Sequence, residues 1–171
     1  MMNISKKNIL MYAEKYDKQY KGSYGEEVEK EMKALFKKQR YLMRGHLIKI
    51  GRWKSKRPTE HYKSQENDDL TVKEITWFSF NTKSEKARIK SLLVLKGVSW
   101  AVASVILHFA FPSKYAIWDF RVMESLGWEN RYDFNSWQKY CNRIRGISKK
   151  YNLSVRTVEK ALWKYSKENQ K

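Results

Sequence analysis

The chain has 171 residues, enough for one domain or two small lobes sharing a core. At 42% hydrophobic and 15% aromatic it is too rich in core-forming residues to be disordered, and its one cysteine, Cys141, excludes an internal disulfide or a four-cysteine cluster. Lys and Arg number 36 against 18 Asp and Glu, a formal charge of +18 that calls for an acidic partner.

Helical periodicity runs through the chain, and β-type alternation is scarce. Residues 5–19 read as a first amphipathic helix, with Ile9, Leu10, Tyr12, Ala13 and Tyr16 on one side. Ser23-Tyr24-Gly25-Glu26 has capping-box spacing and opens a second helix, whose apolar positions are Val28, Met32, Leu35 and Phe36. A third helical segment spans Tyr41 to Trp53. From Lys54 to Asp69 the composition turns polar, and the stretch reads as a loop. Residues 70–80 read as a short aromatic helix. Thr82-Lys83-Ser84-Glu85 reads as another capping box, opening a helix to about Val94. A glycine-centred break at Leu95-Lys96-Gly97-Val98-Ser99 leads into a very apolar helix from about Ser99 to Phe111, which Pro112 ends. Lys114 to Trp118 is extended. Asp119 suits the N-cap of a short helix closing near Leu126-Gly127, where glycine supplies a left-handed turn. Helices over 136–150 and 154–168 follow, the last capped by Ser154. The expected fold is all-α, about eight helices in two lobes built around a helix-hairpin-helix. Lobe one covers 22–128, and lobe two covers 1–21 plus 129–171.

The positive charge is spread along the chain, with no single amphipathic Lys/Arg helix carrying it, so nucleic acid is favoured over an anionic membrane as partner. No apolar run reaches membrane-spanning length without a charge or a break, and the first residues lack the apolar core of a signal peptide. A soluble, cytoplasmic or nucleoid-associated protein is expected. Its like charge disfavours self-association, so a monomer is expected too. His46, His61 and His108 do not have metal-ligand spacing. His108, inside the apolar helix, reads as a core or pocket-lining residue, and His61 beside Glu60 is a candidate general-base pair.

Two helices joined by a tight glycine turn offer backbone N–H groups to a phosphate without reading base sequence. Lys96 can contact such a phosphate, Ser99 can cap the second helix, and the bare Gly97 would admit a sugar-phosphate backbone. The basic run Lys54, Lys56 and Arg57 after Trp53 reads as a phosphate-gripping edge, with Trp53 available to stack on a base. Ile117-Trp118 would wall a base pocket or simply pack. Arg121 would pair with Asp119 or a phosphate, and Lys149-Lys150 and Arg156 extend a basic face.

Leu95, Gly97, Val98, Ala103 and Asp119 together resemble the core pattern of the helix-hairpin-helix DNA glycosylases. That superfamily includes endonuclease III and the adenine, 8-oxoguanine and 3-methyladenine glycosylases. The resemblance covers roughly residues 85–128. It implies that double-stranded DNA is held at its phosphates, that a base is rotated out, and that its N-glycosidic bond is broken. Asp119 would be the catalytic carboxylate that stabilises positive charge on the sugar. Ala101 stands where bifunctional members carry a lysine, so the resemblance implies a monofunctional hydrolase. The iron–sulfur cysteines of endonuclease III are absent. The resemblance also suggests a monovalent cation, K or Na, on backbone carbonyls of Leu95, Gly97 and Val98, and implies no other cofactor. Alternatives from the same residues are a non-catalytic helix-hairpin-helix DNA-binding protein and, on charge alone, a basic RNA-binding protein.

Overall fold

The computed structural model describes residues 1–129 and 131–169. Asn130, Gln170 and Lys171, which the expected second lobe includes, lie outside them. Ten α-helices are described, with no strand among the described residues. They are α1 (Lys6–Tyr20), α2 (Tyr24–Lys38), α3 (Arg44–Lys54), α4 (Thr59–Tyr62), α5 (Asp69–Asn81), α6 (Glu85–Leu92), α7 (Trp100–Ala110), α8 (Phe120–Leu126), α9 (Phe134–Tyr151) and α10 (Val155–Asn169), with a short 3-10 turn at Gln65–Asn67. No helix among the described residues is long and apolar enough to cross a membrane.

The chain divides into two compact units, Met1–Lys21 with Phe111–Lys171, and Gly22–Ala110. The first division lies between Lys21 and Gly22. The second falls after Ala110 rather than near residue 128, because the 111–128 stretch is bonded to α10. The Ile117 N–H donates to Glu159, and the Ser125 hydroxyl donates to the Leu162 carbonyl at 2.6 Å. The Met2 N–H reaches the Ser125 carbonyl at 2.8 Å, tying the first residues of the chain to α8.

In the first unit, Ile9 and Ala13 of α1 are buried where α1 packs on α10, which buries Val155, Val158, Ala161 and Leu162. Tyr16 and Tyr20 meet Trp163 edge-on along that seam. Cys141 is buried in the core, outside any disulfide. In the second unit, α7 packs on α2 and α3, and every residue from Val102 to Ala110 is buried.

Local chemistry explains the helix boundaries. Ser5, Ser23, Asp68, Ser84, Asp119 and Asp133 each accept a backbone N–H from the helix that they open. At α2 the reciprocal bond of the capping box shifts by one residue, since Glu26 accepts from the Gly22 N–H at 2.6 Å. Ser84, not Thr82, caps α6; the Thr82 N–H already ends α5 by donating to the Phe78 carbonyl. α9 begins earlier than expected because Asp133 caps it, with its Oδ1 on the Ser136 N–H and its Oδ2 on the Ser136 hydroxyl. The α5–α6 corner is closed by Arg88, which is 7% exposed. Its guanidinium donates to the carbonyls of Ser79, Phe80 and Thr82, a cation set on the end of α5 where carbonyls lack helical partners.

The stretch 54–69, expected as a loop, contains α4 and the 3-10 turn. Four residues carry no readable period. They are held by Tyr62, which is fully buried, and by the Thr59 hydroxyl on the Lys56 carbonyl at 2.6 Å.

His46 sits at the third position of α3, and its Nδ1 accepts the Met43 N–H at 3.1 Å. Burial holds this imidazole below its ordinary pKa of 6.5, with a push in the same direction from Lys49 and opposition from Glu31 and Asp69. The unfolded chain therefore takes up the proton more readily. The contribution of His46 is complete above the unfolded pKa and is lost as pH falls through and below about 6.5. Urea unfolding should show stability declining from about pH 7 to about pH 5. His46→Gln, which keeps an acceptor for the cap, should flatten that decline; an unchanged pH profile would exclude His46 as its source.

Candidate nucleic-acid interface

The hairpin belongs to the second unit. Leu95 to Val98 form a turn closed by the Val98 N–H on the Leu95 carbonyl at 3.0 Å, with Gly97 at φ +83°. That is the left-handed value a type II turn requires at its third residue, and glycine adopts it without strain. Ser99 then caps α7. Its carbonyl accepts from Ala103 at 2.8 Å and its hydroxyl lies 3.4 Å from the Val102 N–H. Leu95 and Val98 point into the core, whereas Val94, Lys96 and Ser99 are exposed.

What holds the turn is Asn67, a fully buried residue. Its Oδ1 accepts the Lys96 N–H at 2.8 Å, and its Nδ2 donates to the Lys96 carbonyl at 3.0 Å. The same Nδ2 lies 3.2 Å from the carbonyls of His61 and Tyr62, so one amide joins the hairpin to α4. Asn67 was not singled out by the sequence, in which it is one polar residue of a polar stretch. A side-chain amide on both faces of a peptide 29 residues away leaves no local signal.

Gly97 does not offer an open face to an outside backbone, which corrects the expectation of close approach there. A Cβ on Gly97 would lie 2.8 Å from the Cβ of His61 and 3.0 Å from the ring of Tyr62. The glycine serves an internal contact as well as the turn. The Leu95 and Lys96 carbonyls already accept from Val98 and Asn67. A monovalent cation on the Leu95, Gly97 and Val98 carbonyls would share the Leu95 oxygen with the turn.

Other expected residues of this unit are placed as follows. Lys96 reaches Glu66 at 3.2 Å from an exposed position. Lys56 and Arg57 are exposed, and Lys54 is half-buried at the end of α3. Trp53 donates its indole N–H to the Gly25 carbonyl at 3.0 Å and meets Phe109 edge-on at 5.5 Å. That fixes Trp53 as packing between α2, α3 and α7 rather than as a stacking platform. His108 is 3% exposed and belongs to the core. Glu60 pairs with Lys63 at 2.9 Å, and His61 is exposed beside the turn.

Asp119 belongs to the first unit. It is half-buried and caps α8, its Oδ1 accepting the Arg121 N–H at 2.9 Å. The segment before it is clamped on both sides of one residue. The Ile117 N–H donates to Glu159 Oε1, and the Ile117 carbonyl accepts the Tyr140 hydroxyl at 2.6 Å. Glu159 is 1% exposed, with Arg156 at 3.8 Å from its other oxygen. Burial, then the charges of Glu159, Cys141 and Asp119, hold the Tyr140 hydroxyl well above its ordinary pKa of 10, so it remains a neutral donor. Trp118 is fully buried, stacked on Tyr140 and tilted against Tyr132, which assigns it to the core rather than to an open pocket wall. The Arg121 guanidinium lies over the rings of Phe120 and Trp163. Glu159 and Tyr140 were missed in the sequence because a carboxylate and a phenol on amphipathic helices read as surface and core.

Comparison with protein-family models, with curated proteins and with solved structures found no match.

The clamp makes a measurable demand on stability. Asn67→Ala leaves both polar groups of the Lys96 peptide without their partner and should lower unfolding stability by about 2 kcal/mol. Gly97→Ala should lower it by at least a similar amount, roughly 2 kcal/mol, from the left-handed φ and the contact with His61 and Tyr62. Urea unfolding checks both, and an unchanged midpoint for either would remove that contact from the hairpin's support.

Proposed function

We propose that the protein binds double-stranded DNA at its phosphate backbone, without reading base sequence, through the hairpin between α6 and α7. The observation that carries this reading is the turn's orientation. Asn67 and Tyr62 hold its inner side, and the exposed Lys96 and Ser99 stand at the start of α7, where backbone N–H groups and the helix dipole favour an anion. The formal charge of +18 supplies the long-range attraction. An RNA-binding role rests on that charge alone, and tighter binding to RNA than to DNA would favour it.

A second reading is a monofunctional DNA glycosylase with Asp119 as the carboxylate that stabilises the developing sugar cation. It is favoured by one feature, the fixed placement of Asp119 on a segment clamped by Glu159 and Tyr140. The burial of Trp118 and His108, and the bond between Trp53 and Gly25, weigh against it, since these rings were the ones available to line a base pocket.

Lys96→Ala should weaken duplex binding about three- to tenfold for every sequence alike, and lower the slope of log affinity against log salt by about one. Unchanged affinity and slope would take the hairpin out of the interface. For the second reading, base release would be measured on duplexes carrying oxidised, deaminated, alkylated and mismatched bases, with alkali to cut abasic sites. Release by the wild type that Asp119→Asn abolishes, at unchanged DNA affinity, would establish the glycosylase; equal release by both would discard Asp119 as its catalytic residue.

A further inference from the structure

α9 is the longest helix, and its charge is one-sided in two senses. It carries five cations, Lys139, Arg143, Arg145, Lys149 and Lys150, and no acidic residue. Lys139, Arg143, Gly146 and Lys150 follow one another at steps of four, three and four, which puts them on one face. All four are exposed, while Trp137, Tyr140, Cys141, Ile144 and Ile147 on the opposite face are buried.

Among the described residues none of the five pairs with a carboxylate. Lys139 and Lys150 lie over the rings of Trp128 and Tyr151, and Arg145 donates to the Lys114 carbonyl and to Asn142. The cations of α1 and α10 are arranged differently: Lys15 and Lys164 meet Glu168 at 2.8 and 2.9 Å, and Lys160 meets Asp17 at 2.8 Å. Like charges spaced three and four residues apart destabilise a helix. The α9 row is therefore a local cost that a polyanion would offset.

Gly146 is the second observation. It lies mid-helix, where glycine is unfavourable relative to alanine. A Cβ there would meet nothing within 4 Å, so no internal contact excludes a side chain. The bare backbone sits within the row of cations, where an outside backbone could come closest.

We propose that this face of α9 is a docking surface for the sugar-phosphate backbone of duplex DNA, with Lys139, Arg143 and Lys150 contacting phosphates and Gly146 allowing close approach. The rest of the outward face is Asn135, Gln138, Asn142 and Lys149. None of these exposed residues is apolar or aromatic, and the rings beside them, Trp128 and Tyr151, are half-buried under Lys139 and Lys150. From Lys139 to Lys150 the row runs about 16 Å, and a helix fits the major groove of B-DNA, roughly 12 Å wide, with phosphates along both walls. The deep, narrow major groove of duplex RNA does not admit it. The proposal shares with the hairpin reading its partner class and nothing else, since α9 lies in the other unit.

The test is anisotropy with the full chain and a labelled DNA duplex of about 20 base pairs, roughly two helical turns, across a salt series. The triple exchange K139Q/R143Q/K150Q should weaken binding by at least about tenfold and lower the salt slope by roughly two to three. The triple K15Q/K160Q/K164Q removes the same net charge from the paired positions and should weaken binding far less. Equal loss in both would mean that only net charge matters, and would overturn the surface. The charge-keeping K139R/R143K/K150R should bind as the wild type does, which separates lost contact from lost folding. Gly146→Gln should raise the thermal midpoint and weaken binding; a variant that is more stable with unchanged affinity overturns the close approach. Tighter binding to duplex RNA or to phosphatidylserine vesicles, with the same dependence on the triple, overturns DNA as the occupant. Loss with the α9 triple but not with Lys96→Ala would overturn the hairpin reading and leave this surface standing, and the reverse would overturn this surface alone.

Discussion

Tyr62 is packed with one ring edge against Gly51 of α3 and the other against Gly97 of the hairpin. A methyl group on Gly51 would stand 2.5 Å from that ring, and one on Gly97 would stand 3.0 Å from it. Neither glycine can be replaced without moving a fully buried aromatic residue, and buried aromatics move only when their surroundings repack. α4 exists in order to deliver this ring. Asn67 then bonds the peptide of Lys96 to the carbonyls of the same helix turn. The hairpin thus rests on a steric contact and a polar one, from the same short stretch of chain. Its outward residues, Lys96 and Ser99, inherit a fixed position from contacts that they do not make themselves.

The first unit solves a similar problem with different chemistry. Tyr115 to Trp118 is extended backbone that lies buried, and buried N–H and C=O groups need partners. No strand runs beside it, so side chains from two helices stand in. Glu159 accepts the Ile117 N–H, and the Tyr140 hydroxyl donates to the Ile117 carbonyl. A buried carboxylate is costly unless its bonds are made, and the Ile117 amide and nearby Arg156 are what make this one tolerable. The orientation of Asp119 is therefore set by residues 21 and 40 positions further along the chain, with the N-cap bond as only its last step.

This separates what the amino-acid order reveals from what it hides. N-caps and left-handed C-caps are local: Ser23, Asp119 and Gly127 act within a few residues of themselves, and so they were readable. Amphipathic faces were readable for the same reason, as Val28, Met32 and Phe36 illustrate. Where two caps competed, the Thr82 hydroxyl accepts the Ser84 N–H, and it is the Ser84 hydroxyl that takes the Ala87 N–H of α6. α4 was hidden because a four-residue helix has no period and is kept by the burial of Tyr62 and by bonds from Thr59 and Asn67. Gly97 was readable as a turn, since its neighbours fall in helical patterns on either side. Its second role was not, because the partner that excludes a side chain lies 35 residues earlier. Trp53, Trp118 and His108 show the same ambiguity. An aromatic or imidazole side chain suits a core and a binding pocket equally, and only its neighbours decide.

Net charge conceals more than it reveals in the same way. The formal +18 is a property of the whole chain, but a polyanion responds to the local field. Exposed ion pairs such as Lys15 with Glu168 contribute little to stability, and the α1–α10 seam is held by Ile9, Ala13, Val158 and Leu162 with the ring contacts of Trp163. What those pairs do change is the surface potential, because each carboxylate cancels a lysine that would otherwise attract phosphate. α2 alone carries four carboxylates, α1 and α10 carry two each, and α9 has none. The placement of the eighteen acids, with none on α9, therefore shapes the surface field as much as the number of bases does.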